Sequence, residues 1–197
     1  MKAWTQAQRK LTNRDELQRY CYLKREEADE SRKFTLSFSS EEPYERWFGI
    51  EILDHNDGAM DMTRLSEIGC VLYNHDRNAV VGRVNRVWME NRRGMAEIEF
   101  DEDEESEKIY QKVLRGTLRG VSVGYIINDA ENVRDGKTSA DGRFTGPCTV
   151  ARKWTPLEIS IVSVPADPTV GVGRELDLQS GAPVDVYIHQ ISVNKNI

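Results

Sequence analysis

The chain is 197 residues long and carries a formal net charge of −6, with 39% hydrophobic and 30% charged residues. This length and composition are typical of one globular domain with terminal arms, and they exclude an intrinsically disordered or membrane-spanning chain. The acidic balance repels a phosphate backbone and therefore disfavours nucleic-acid binding.

Cysteine usage and the first residues indicate the compartment. Cys21, Cys70 and Cys148 are widely spaced and lack the Cys-x-x-Cys pattern of a zinc site. The beginning of the chain has neither the apolar segment nor the cleavage site of a secretory signal. We therefore expect reduced thiols in a cytoplasmic compartment, no membrane partner and no bound metal.

The first predicted element is a helix. Within the charged residues 13–30, Leu17, Tyr20 and Cys21 recur at i, i+3 and i+4, which predicts a thin amphipathic helix. Strands are then predicted from alternating or β-branched apolar residues, at 33–39, around Ile50 with Phe48, Ile50 and Ile52 facing inward, and at 70–73, 81–89, 95–100, 120–127 and 154–164. A turn at 90–94 joins two of these strands into a hairpin.

One strong helix interrupts the strands, at residues 103–115. The acidic run 101–107 suits the first turn of that helix, because carboxylates there complement the positive end of the helix dipole. Residues 129–146 contain few apolar side chains and predict a mobile surface loop. The pattern as a whole predicts a mainly β fold with flanking helices (α+β), a small closed or partly closed β-barrel of about seven strands.

The first candidate for chemistry is the segment Gly-Val-Ser-Val-Gly at residues 120–124. A hydrolase nucleophile elbow has this pattern but needs a strand, a turn and then a helix, whereas strand-like residues continue past Ser122 to Ile127. What remains is a serine with Gly120 and Gly124 beside it on one strand face, where a substrate backbone has room to lie. The alternative is a strip of small residues packed under a helix.

A nucleophilic serine needs a base, and the chain has three histidines. His75 directly follows the predicted strand 70–73, at a rigid strand end that suits a catalytic group. His55 lies among turn residues and His189 in the C-terminal tail. The pattern favours His75 over the other two, although an ordinary loop histidine fits it equally well.

A carboxylate that orients the imidazole would complete the site. Glu158 is the candidate, because an acidic side chain within the apolar strand 154–164 needs a partner if it is buried. An outward-facing glutamate is the alternative, since Ser160 on the same face is also polar.

Three segments together resemble the tailed-phage prohead (capsid maturation) serine protease family: residues 72–76 (LYNHD, followed by VGRV at 81–84), 118–125 (LRGVSVGY) and 158–166 (EISIVSVPA). The similarity extends from roughly residue 33 to residue 174. It implies a fold related to the herpesvirus assembly proteases, a small β-barrel ringed by helices.

By this resemblance the nucleophile is Ser122 and its base is His75. The third member is Glu158, or less plausibly Asp76, where the herpesvirus relatives use a second histidine. The implied activity is cleavage of scaffold segments, capsid-protein segments and the chain itself, without a cofactor, inside the assembling prohead in the host cytoplasm.

The resemblance also implies a domain organisation and partners. Residues 1–32 form an N-terminal arm, 33–171 the protease domain and 172–197 a flexible tail or linker, whose composition predicts a self-cleavage or fusion-linker region after Gly173. The expected partners are the major capsid protein and scaffold segments as substrates, together with further copies of the chain in a homo-oligomer.

Two other functions are compatible with the motifs. A non-catalytic capsid-assembly module would keep the fold and lose the chemistry. An α/β-hydrolase esterase would use Ser122, Glu158 and His189, in the order of serine, acid and histidine typical of that fold. The esterase needs a parallel sheet with helical crossovers, and only one strong helix is predicted between the strands.

Overall fold

The computed structural model describes residues 17–24 and 32–164 of the chain. In this part of the chain nine strands and two helices follow one another: β1 Leu17–Lys24, β2 Lys33–Ser40, β3 Tyr44–Arg46, β4 Gly49–Leu53, α1 Thr63–Ile68, β5 Cys70–Tyr73, β6 Asp76–Glu90, β7 Arg93–Phe100, α2 Glu104–Leu114, β8 Gly120–Val133 and β9 Cys148–Val162. The prediction of a mainly β fold with flanking helices is confirmed. Neither helix in these residues has the length and apolarity that crossing a bilayer requires.

All nine strands belong to one mixed sheet in the order β3-β4-β9-β5-β6-β7-β2-β1-β8. Strand β8, at the end of this order, also pairs with β9, so seven strands have two hydrogen-bonded neighbours each. Two pairings are parallel, β4 with β9 and β5 with β9, and the others are antiparallel. Strand β9 therefore holds β8 along one edge and β4 and β5 along the other.

The strands form because their apolar side chains repeat with a period of two. In β7 every second residue is buried, from Gly94 to Phe100. Trp154 and Tyr125 are fully buried in the core, with ring centroids 5.7 Å apart in an edge-to-face contact. The indole N–H of Trp154 donates to the backbone oxygen of Asp54 at 2.9 Å, so the polar atom of this buried ring is satisfied.

Helix α2, Glu104–Leu114, agrees with the helix predicted at residues 103–115 to within one residue at each end. Asp103 caps it by accepting hydrogen bonds from the backbone N–H groups of Glu105 and Ser106, at 3.0 and 3.1 Å. On the apolar side of the helix, Tyr110 packs against Phe34 and Phe100. The acidic run is thus the N-terminal turn of a helix, as its position predicts.

The predicted helix at residues 13–30 is wrong, since Leu17–Lys24 is strand β1. Its backbone pairs with β8 over six residue pairs and with β2 over two. A short stretch with few apolar residues fits both periods, and here the unpaired edge of β8 decides the matter because a strand satisfies its backbone groups.

The predicted inward face of the second strand is correct for Ile52 and wrong for Ile50. Glu51 and Ile52 of β4 are buried, Phe48 is half-buried, and Ile50 is 36% exposed. Strand β3, which the sequence did not predict, pairs with β4 as a short hairpin. Buried Glu51 is tolerated because it accepts a hydrogen bond from the Tyr125 hydroxyl.

Two further elements differ from prediction. Strand β8 continues to Val133 and β9 begins at Cys148, so the predicted loop 129–146 is shorter. The loop is held down by Arg143, which forms ion pairs with Glu41 and Asp54. Helix α1 has no strong apolar stripe and buries Leu65, which explains why its six residues escaped prediction.

Candidate active site

Three adjacent strands converge at the predicted site. Ser122 on β8 lies directly opposite Ser160 on β9, and Leu72 on β5 is the partner of Ser160 on its other side. Directly paired residues point to the same face of a sheet, with Cβ atoms about 5 Å apart. Strand β5 then leads into the turn that carries His75, which lies next to this row of residues.

His75 occupies a strained hairpin turn between β5 and β6. Asn74 and His75 form a two-residue turn in which both φ angles are positive, 53° and 60°. A type I′ turn requires this conformation, and histidine and asparagine tolerate it better than most residues. The Asn74 side chain accepts a hydrogen bond from the backbone N–H of Ser163 at 2.9 Å, which ties the turn to the end of β9.

Glu158 is buried and contacts the imidazole. Its Oε1 atom lies 2.8 Å from Nδ1 of His75, and the two side chains are 9% and 14% exposed. Because a carboxylate only accepts hydrogen bonds, Nδ1 carries the proton in this contact and the buried Nε2 is left as a proton acceptor in the neutral ring. The structure therefore brings two of the three predicted residues together.

Ser122 is fully buried in the middle of β8. Its Oγ atom makes no hydrogen bond with any residue of the described ranges, and so none with His75. The strand context of the serine excludes a nucleophile elbow, as predicted, because β8 runs straight through it. On the edge away from Ser160, the backbone of β1 pairs with this stretch, with Tyr20 opposite Ser122.

Of the two alternative site residues, the structure describes Asp76. Asp76 accepts a hydrogen bond from the backbone N–H of Asn78 at 2.9 Å and is exposed, so its visible role is within its own strand. His189 of the esterase hypothesis lies outside the described residues.

Ser160 is a polar member of the site that the sequence did not identify. Its hydroxyl donates to Oε2 of Glu158 at 2.6 Å and accepts from the backbone N–H of His75 at 3.2 Å. The signal was present, because two polar residues at alternate positions of an apolar strand share one face. This pattern is also compatible with an outward-facing Glu158, the alternative given above, whereas both side chains are buried.

A second pair of serine and histidine was also missed. Ser39 Oγ lies 2.8 Å from Nε2 of His55, and Nδ1 of His55 lies 2.9 Å from the backbone oxygen of Leu53. Both side chains are buried. Since a neutral carbonyl occupies the place of an orienting carboxylate, this pair is less suited to nucleophilic catalysis.

Cys70 lies beside the site, where burial and the negative charge of Glu158 raise the pKa of its thiol. This keeps the thiol protonated and poorly nucleophilic at neutral pH. Cys70 and Cys148 are both free, as the sequence predicts, while the side chain of Cys21 lies outside the described residues.

Comparison with known proteins finds a family whose model matches more than half of the chain. The family described as "Caudovirus prohead serine protease" matches residues 54–180, a range that includes His75, Ser122 and Glu158. A protein named "Major capsid protein" from Halomonas phage phiHAP-1 is 39% identical over 146 residues, which are 72% of this chain and 23% of that protein. The chain thus spans less than a quarter of the length of this relative.

The fold has a counterpart among solved structures. The bacteriophage T4 capsid assembly protease superposes with a TM-score of 0.50 at 10% sequence identity, over 76% of this chain and 98% of that one. At this identity the likeness concerns the fold alone.

Proposed function

Because the chain belongs to the caudovirus prohead serine protease family, we propose that it is an active serine endopeptidase. In this proposal Ser122 is the nucleophile, His75 is its base and Glu158 orients the imidazole. The observation that carries the proposal is the contact of 2.8 Å between Nδ1 of His75 and the buried carboxylate of Glu158, next to the strand that bears Ser122.

The reaction is acyl transfer. Nε2 of His75 takes the proton of the Ser122 hydroxyl while Oγ bonds to the peptide carbonyl carbon, and the protonated imidazole then gives that proton to the departing amine. Water, deprotonated by the same imidazole, releases the acyl group and restores the serine. Glu158 supports both stages because its negative charge stabilises the imidazolium.

The burial of Ser122 adds a condition. A side chain with 0% exposure cannot meet a substrate carbonyl, so catalysis requires an opened state in which the face bearing Ser122 is accessible and its hydroxyl approaches His75. Hydrogen bonds of catalytic groups are often long in the absence of substrate. The missing bond between Ser122 and His75 is compatible with this state.

The proposed substrates are scaffold and capsid-protein segments, together with the chain itself. The support is the relative named as a major capsid protein, in which the matching segment is part of a much longer polypeptide. We place the protease domain at residues 33–171, between an arm (1–32) and a tail (172–197), and we interpret the residues after Gly173 as a self-cleavage or fusion-linker region. In this proposal a small barrel consists of the strands that link β9 back to itself, in the order β9-β5-β6-β7-β2-β1-β8-β9, and homo-oligomers act inside the assembling prohead.

The decisive experiment expresses the chain alone and with a capsid-protein partner, and follows both polypeptides by intact-mass spectrometry. Ser122→Ala should abolish product formation, a loss on the order of 10⁶ in turnover. Ser39→Ala is the matched control, because it removes another fully buried serine hydroxyl that contacts a histidine. Products that persist in Ser122→Ala and disappear in Ser39→Ala would show that Ser39 and His55 carry the activity instead.

The same experiment separates the alternatives. A non-catalytic assembly module would leave all masses unchanged in the unaltered chain. An esterase would lose its activity on replacement of His189 with alanine, whereas the protease would keep it. The position of Ser122 inside a strand, without a following helix turn, counts against the esterase.

A further inference from the structure

The hydroxyl of Ser160 contacts both the side chain of Glu158 and the backbone of His75. We propose that Ser160 is a positioning residue, which holds the Glu158 carboxylate and the backbone of His75 in one fixed arrangement. This inference deepens the proposed function and rests on it for its catalytic consequence.

The contacts of Ser160 use its hydroxyl both as a donor and as an acceptor. The residue is 0% exposed. Its hydrogen is donated to Oε2 of Glu158 at 2.6 Å, and its oxygen accepts the backbone N–H of His75 at 3.2 Å. One small side chain thus contacts the carboxylate and the residue that carries the imidazole.

The carboxylate needs this donor for a physical reason. Glu158 uses Oε1 for His75, and a buried Oε2 without a donor would have to turn toward water. Turning would carry Oε1 away from Nδ1, since both oxygens rotate together about one bond. The donor hydroxyl therefore keeps the charge aimed at the ring.

The turn that carries His75 also depends on the Ser160 oxygen as a hydrogen-bond acceptor. His75 has a positive φ of 60°, a conformation that a non-glycine residue keeps only when its surroundings hold it. The bond from its N–H to Ser160 is one such restraint. Ser160 also lies directly opposite Ser122 in the pairing of β9 with β8. Through Ser160, this pairing therefore fixes the position of the base His75 relative to the nucleophile Ser122.

A spectroscopic test does not depend on activity. In the Ser122→Ala chain, the proton on Nδ1 of His75 should give a downfield resonance in the ¹H spectrum, assigned by its loss in His75→Gln. Adding Ser160→Ala should move this resonance upfield or remove it by exchange with water. If Ser39→Ala is added to the Ser122→Ala chain instead of Ser160→Ala, the resonance should stay unchanged, because the Ser39 hydroxyl contacts His55 and not His75. An unchanged resonance with Ser160→Ala would overturn the inference.

Kinetics then test the catalytic consequence. Ser160→Ala in the otherwise unaltered chain should lower kcat about 10-fold to 100-fold, the range for one hydrogen bond to a charged group, with KM within about two-fold. Equal losses in Ser160→Ala and Ser39→Ala, at matched folded fractions, would show a merely structural role. If the resonance moves but Ser122→Ala still cleaves, the positioning contact stands and the proposed function fails.

Discussion

At the scale of single residues, the two histidines of the described ranges, His55 and His75, have different groups beside Nδ1. His55 has a backbone carbonyl at Nδ1, whereas His75 has a carboxylate. A carboxylate stabilises an imidazolium more strongly than a neutral carbonyl, because the charge persists while the ring holds the proton. The identity of the group at Nδ1, more than the distance between serine and ring, distinguishes the candidate site.

Replacing Glu158 with glutamine tests this distinction. The carboxamide has nearly the same shape, but its N–H₂ group can donate to Nδ1 and so favour the tautomer whose Nε2 is protonated and cannot act as a base. We expect kcat to fall on the order of 10⁴ with little change in KM.

The control is Glu131→Gln, which alters a glutamate that binds Arg152, in the long pairing of β8 with β9. Initial rates on a peptide from the capsid partner measure both variants. A loss of less than ten-fold in Glu158→Gln would show that the carboxylate has no part in the reaction.

At the scale of elements, two hairpin turns have the same backbone conformation and different purposes. Asn91 and Arg92 join β6 to β7 with φ angles of 49° and 57°, much as Asn74 and His75 join β5 to β6. Glycine is the usual second residue of such a turn. At position 75 the imidazole must replace it, since the side chain is the one that contacts Glu158.

Arg92→Gly should therefore stabilise the fold. Removing the Cβ relieves the positive φ. This gain is partly offset by the greater freedom of glycine in the unfolded chain and by the loss of the exposed ion pair of Arg92 with Glu41, which contributes little. We expect the free energy of unfolding, measured with urea, to rise by about 0.5 kcal/mol.

Arg93→Gly is the neighbouring control. Arg93 lies in β7 and has no positive φ, so only the destabilising term applies and the expected loss is about 0.5–1 kcal/mol. Equal changes in the two variants would contradict the turn argument.

At the scale of the whole molecule, a cluster of ion pairs lies at the end of the sheet away from the hairpin of His75. Asp54, 4% exposed, bridges Arg143 and Arg152. Both arginines also contact Asp141. The cluster fastens the loop between β8 and β9 onto the end of β4. Burial works against the charge of Asp54, yet hydrogen bonds from Arg152, from the N–H of Asn56 and from Arg143 outweigh it and lower the pKa of its carboxyl.

This cluster predicts the pH dependence of stability. A carboxyl whose pKa is lowered in the folded state stabilises the fold above its ordinary value, and the stabilisation is lost as the pH falls through the lowered value. The contribution of Asp54 should thus be constant above about pH 5 and decline below about pH 4.

Asp54→Asn should lower the free energy of unfolding at pH 7 by about 1–3 kcal/mol, because it removes the buried charge that bridges the two arginines, while Asp141 still contacts both of them. It should also flatten the decline below pH 4, as measured by urea unfolding at several pH values. Asp135→Asn, an exposed change in the same loop, should alter neither quantity, and an unflattened profile in Asp54→Asn would refute the assignment.

The local patterns of the sequence determined much of this protein. Alternation predicted β2 and β7, an acidic run with an apolar stripe predicted α2, and three motifs pointed to the family. The candidate residues His75, Ser122 and Glu158 followed from short segments, since each motif needs only its own neighbours to be recognised. Their catalytic roles remain predictions.

Only the tertiary structure decided how these segments meet. Leu17–Lys24 is a strand and not the predicted helix because it pairs with the edge of β8, more than 90 positions away in the chain. The burial of Glu158 and the role of Ser160 depend on a turn from another strand. Pairing register and burial are set by contacts between distant parts of the chain, and a local pattern specifies which face is apolar without specifying what covers it.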